Sequence, residues 1–67
     1  MNEGIAELRV TNVGGKTRVQ MRLIQGEESV DIAVILPTKN WALLELQASA
    51  LERAAGLASE MAASIRR

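Results

Sequence analysis

The chain has 67 residues, eight basic and eight acidic side chains, 48% hydrophobic content and one aromatic residue, and it contains neither cysteine nor histidine. A single domain of this size, 1–67, sits near the lower limit for folding unaided, where disulfides, metals or association usually help. Without cysteine or histidine a disulfide framework is excluded and a structural zinc site is implausible, so association is the aid that remains and no metal or cofactor is expected.

Zero formal charge argues against a protein held to nucleic acid by bulk positive charge, although a local basic patch stays open. The opening MNEGIAEL lacks the basic and apolar regions of a signal peptide. The longest strictly apolar run, 32–36, falls far short of the ~20 residues that cross a bilayer. The expected setting is therefore cytoplasmic, with no membrane partner.

Residues 5–12 alternate Ala6, Leu8 and Val10 against Ile5, Glu7, Arg9 and Thr11. Residues 17–25 alternate Val19, Met21 and Leu23 against Arg18, Gln20 and Arg22, and 30–36 alternate Val30, Ile32, Val34 and Leu36 against Asp31, Ala33 and Ile35. Period two in three consecutive segments predicts three strands. The turns supply the register. Gly14-Gly15 is a favoured two-residue hairpin loop and places Val10 opposite Val19, Leu8 opposite Met21 and Ala6 opposite Leu23. Gly26-Glu27 suits a type II′ turn and places Leu23 opposite Val30, Met21 opposite Ile32 and Val19 opposite Val34. Both turns collect the apolar side chains on one face, an agreement that a slip of one residue would destroy. On the other face Glu7, Arg22 and Asp31 line up as a charge ladder.

Pro37 ends the third strand, and Thr38 or Asn40, with Asn40 preferred, is expected to cap a helix over 38–66. Arg66 and Arg67 complement its negative end. The arc containing Leu43, Leu44, Leu46, Ala50, Leu51, Ala54, Leu57, Ala58, Met61, Ala62 and Ile65 spans roughly 200°, about twice the stripe that one packed face requires. A helix of about 28 residues spans about 42 Å, whereas strands of about eight residues span about 26 Å, so roughly a third of the helix is expected to overhang the sheet. An exposed apolar tail is the kind of patch that monomers avoid. The expected architecture is therefore α+β, a three-stranded antiparallel meander followed by one long helix (βββα). It is dimerised through the helices by Leu51, Ala54, Leu57, Ala58, Met61, Ala62 and Ile65. Gly56 reads either as a tolerated surface glycine or as a bend or close helix contact.

Chemistry is sparse. VGGKT resembles the end of a phosphate-binding loop, but Val10 stands where the first glycine belongs and the segment opens a strand rather than a helix. The serines have no histidine to activate them, Glu27 and Glu28 lie in a turn, and Arg22 keeps its neighbouring carboxylates ionised. No enzyme and no catalytic residue is expected. The glutamates on the helix's polar face disfavour an anionic lipid surface. The outer sheet face does offer Arg9, Arg18 and Arg22, with Lys16 at the hairpin tip, as a nucleic-acid-binding set. Its aromatic stacking platform is missing, because Trp41 stands at the helix start.

The stretches VTNVGGKTRVQMRLIQ and ILPTKNWALLELQASAL, about two thirds of the chain, resemble the positive cofactor four and Whirly-type coactivators in two features. These are a GK-containing hairpin and a tryptophan followed by leucine and glutamine on the helix. The resemblance implies a dimer that binds single-stranded DNA through a twisted antiparallel sheet backed by a C-terminal helix, with Arg9, Lys16, Arg18 and Arg22 contacting the backbone. The family sheet has four strands, against three here, and carries more lysine and more strand aromatics. Two functions are thus expected: a homodimeric single-stranded nucleic-acid binder that modulates transcription or replication, or a protein-interaction module that uses the sheet face or edge.

Overall fold

The computed structural model describes residues 3–66. It contains β1 (Glu3–Val13), β2 (Lys16–Gln25), β3 (Glu28–Pro37) and α1 (Leu43–Ile65), with the strands in the order β1-β2-β3 and both pairings antiparallel. Gly14 and Gly15 take φ of 57° and 77°, the double positive φ of a type I′ turn. Gly26 takes φ of 62° and Glu27 is not in the positive region, as type II′ requires. The partners follow from these turns: Val10 opposite Val19, Leu8 opposite Met21, and Leu23, Met21 and Val19 opposite Val30, Ile32 and Val34.

The first hairpin departs from the expected register in one place. A β-bulge between Ile5 and Glu7 makes Ile5, rather than Ala6, the partner of Leu23. One extra residue in a strand reverses the alternation beyond it. Ile5, expected on the outer face, therefore packs against the core, which exchanges a methyl for a larger aliphatic side chain at that end.

The helix begins at Leu43, five residues later than expected, and neither Thr38 nor Asn40 caps it. Its N-cap is Ala42, extended at φ −72° and ψ 145°, with no side-chain cap bond. Residues 38–42 instead tie the chain to the end of the sheet. The Thr38 amide donates to the Gly15 carbonyl at 3.4 Å, and the Thr38 and Thr17 hydroxyls lie 3.1 Å apart. The Trp41 indole donates to the Pro37 carbonyl at 2.9 Å. These bonds compete with the first helical turn and win, because a tryptophan ring packed on the core offsets what a turn of helix would give. At the other end Arg66 is the C-cap and donates its amide to Ala62; Arg67 lies outside the described residues.

Helix and strands are of nearly equal length, contrary to the expected mismatch. The 23 residues of α1 span about 34 Å, and strands of ten and eleven residues span about the same. The overhang exists for a different reason. The principal extents are 36 × 35 × 16 Å, whereas three strands occupy only about 10 Å across. The second long dimension belongs to the helix, which crosses the strands steeply. Residues 39–42 adjoin Val10 and Asn12 of β1, and α1 itself packs on β3, so the helix runs from the β1 side over β3 and beyond.

The core is correspondingly small. Val19, Met21, Val34, Leu36, Leu46 and Ala50 are buried, and Ile5, Leu23, Ile32, Trp41, Leu51, Ala54 and Leu57 pack around them. Beyond Leu57 the helix leaves the core: Met61 is 65% exposed and Ile65 80%.

Candidate nucleic-acid interface

The pairing sorts the outer face of the sheet into cross-strand rows: Glu7–Arg22–Asp31, Arg9–Gln20–Ala33, Thr11–Arg18–Ile35 and Val13–Lys16–Pro37. All four expected cations therefore share one face, and all are exposed. They do not share one electrostatic state.

Arg22 is held by carboxylates on both sides. Its Nε donates to Asp31 Oδ1 at 2.8 Å and its Nη2 to Oδ2 at 3.4 Å, a forked contact, while Nη1 reaches Glu7 Oε1 at 3.5 Å. The hydrogen bond from Arg22 holds the Asp31 carboxyl below its ordinary range, with its positive charge adding to the effect. Asp31 raises the Arg22 guanidinium in turn, first by the hydrogen bond and then by charge. A guanidinium shared between two carboxylates has little left for a phosphate.

Arg9, Lys16 and Arg18 take part in no ion pair among the described residues. They occupy the half of the face nearest the first hairpin, among the polar side chains of Thr11 and Gln20 and the apolar ones of Ile35 and Ala33. The acidic side chains lie beyond them: Glu7 and Asp31 in the next row, two residues from Arg9 and Ala33, and Glu27 in the second turn with Glu28 beside it, about 30 Å from the first hairpin along the strands. The sheet is thus polarised along its length although the chain is neutral.

Trp41 stands apart from this face. It is half-buried against the core, with Lys39 Nζ 4.2 Å from its ring centroid, and Lys39 also pairs with Glu45 at 3.7 Å. That pairing offsets the lysine's unfavourable position near the positive helix start. No aromatic ring is left for the outer face, because Trp41 is the chain's one aromatic residue.

The helical residues expected at a dimer interface divide into two groups. Leu51, Ala54 and Leu57 pack partly against the chain's own core. Ala58, Met61 and Ile65 face solvent, and Ala62 is half-buried. Sequence reasoning missed a second apolar surface on the inner face of β1, where Leu8 and Val10 stay 36% and 42% exposed. Alternation marks them as inward-facing, but only the crossing direction of the helix shows that they lack a cover.

Among the described residues no group of acidic, histidine or cysteine side chains is placed to hold a metal ion, and no helix is long and apolar enough to cross a membrane. No protein-family model, curated protein or solved structure matches the chain.

Proposed function

We propose that this chain is a non-enzymatic homodimeric binding module whose outer sheet face takes single-stranded nucleic acid, in the service of transcription or replication. The observation that carries the reading is the group of three uncompensated cations, Arg9, Lys16 and Arg18, on an exposed, carboxylate-free half of the sheet. Phosphates would pair with these three side chains, and Thr11 and Gln20 offer hydrogen bonds between them. Ile35, Ala33 and Val13 supply apolar contact for bases in place of stacking rings. The exposed helix tail supports the homodimer.

Binding of this kind rests on charge, so it is strongly salt-dependent. Three neutralised phosphates give a slope of log K against log salt near −2 for a single strand, or about 20-fold weaker binding at 200 mM than at 50 mM salt. Fluorescence anisotropy with a labelled oligonucleotide reads this directly. Arg9→Ala with Arg18→Ala should remove most of the affinity at low salt, while Arg22→Ala, whose charge is already engaged, should change it far less. Absence of binding at 50 mM salt, or affinity untouched by the double variant, overturns the proposal.

A further inference from the structure

Three features of the chain lack a partner, and one arrangement supplies all three. The first is surface. A folded monomer of 7.2 kDa exposes about 4,100 Å² on the general scaling, whereas this chain exposes 5373 Å². The excess, about 1,200 Å², exceeds the roughly 800 Å² that each partner buries in an interface of standard size.

The second is the edge of β3. Exposed strand edges are usually blunted by bulges, lysines, internal prolines or a covering element. β1 carries the bulge at Ala6. β3 pairs without irregularity over its ten residues, contains no lysine or arginine, and has its proline only at the last position. Its interior, VDIAVIL, is rich in β-branched residues with a single charge, a sequence that templates further pairing unless something occupies it.

The third is the direction of the helix tail. Met61 and Ile65 continue the stripe of Leu46, Ala50 and Leu57, at spacings of three and four residues or their sums. They therefore point towards the level of the sheet's inner face, at a place where this chain has no strand beneath them. A sheet that continued past β3 would lie there.

We propose that β3 pairs antiparallel with β3 of a second copy of this chain, about a two-fold axis perpendicular to the sheet. The result is a six-stranded sheet with both helices on one side. Each α1 crosses its own β3 and seats Met61 and Ile65 on the inner face of its partner, and the small side chains of Ala55, Ala58 and Ala62 let the two helices approach closely. The arrangement deepens the homodimer reading above and rests on it. It also joins the two outer faces into one continuous surface.

Hydrogen exchange on the wild-type chain, with light scattering on the same sample, tests this without presupposing a register. The expected mass is twice the 7.2 kDa chain. In β3 the amides that point away from β2 should exchange as slowly as those of the central strand, while the outward amides of β1 exchange quickly. Met61→Glu with Ile65→Glu should halve the mass and release the β3 amides together, leaving circular dichroism unchanged because both side chains are largely exposed within one chain. A dimeric mass with β3 amides as labile as those of β1 overturns the edge pairing and leaves the homodimer standing. A single-chain mass for the wild type overturns both.

Discussion

The two halves of α1 have a similar share of apolar residues and opposite surroundings. From Leu46 to Leu57 the apolar stripe meets the sheet, and Leu46 and Ala50 are buried completely enough to join the core. From Ala58 to Ile65 the same stripe continues in sequence, but only Ala62 is half-buried and Met61 and Ile65 are largely exposed. Burial here is decided by where the sheet stops rather than by what the helix offers. An amphipathic pattern therefore states a demand for a partner, and only topology says which chain answers it.

The sharpest way to break this contrast is truncation on both sides of it. Leu46→Ala should cost about 3 kcal/mol in urea unfolding, the usual loss for a large-to-small change in a packed core. Ile65→Ala should stay within about 0.5 kcal/mol at dilutions where the chain is single. Equal costs would show that the tail is packed after all.

The junction that aims the helix comes next. The Thr17 hydroxyl, on a residue only 2% exposed, donates to Asn12 Oδ1 at 2.8 Å and lies beside the Thr38 hydroxyl. Thr17→Val should cost about 1 kcal/mol, the net worth of a typical internal hydrogen bond. It should also loosen residues 38–42, seen as a change in Trp41 fluorescence. At Gly56 a Cβ would meet no atom within 4 Å, so no close contact inside the chain requires the glycine. Gly56→Ala should stabilise the helix by nearly 1 kcal/mol; a loss instead would place a partner's backbone against this position.

The smallest effect concerns pH. Asp31 has a lowered pKa in the folded chain, so its pairing with Arg22 favours the folded state at pH values above the ordinary value of 3.8. That contribution fades as the pH falls through the lower folded value. An NMR titration of Asp31 should show a midpoint below 3.8 that returns towards it in Arg22→Gln. The stability change is slight because the pair is exposed.

Much of the sheet was legible because its turns are glycine turns: Gly14-Gly15 and Gly26 admit few alternatives, and each sets a register. The Glu7–Arg22–Asp31 ladder followed from those registers alone. The bulge did not, since Ile5 and Ala6 are both apolar and either can face the core. The helix start was hidden because Thr38, Lys39 and Asn40 are compatible with a first turn, while the Trp41 indole bond to Pro37 is a tertiary choice. Least legible was the crossing direction, because a 3.6-residue period reports which face is apolar and is silent about heading. For the candidate surface, alternation placed all four cations together, and the ladder already warned that Arg22 was engaged.

The bulge at Ala6 sets a parity boundary in the first strand. Deleting Ala6 would restore strict alternation and leave Ile5 inward, at the loss of one methyl-bearing residue. Deleting any residue between Glu7 and Asn12 would instead turn Glu7 against Met21, and deleting Val10 or Thr11 would turn Arg9 against Val19 as well. Ala6 is therefore the position inside β1 where the strand's length can change with Ile5 and the residues from Glu7 onward all kept on their faces.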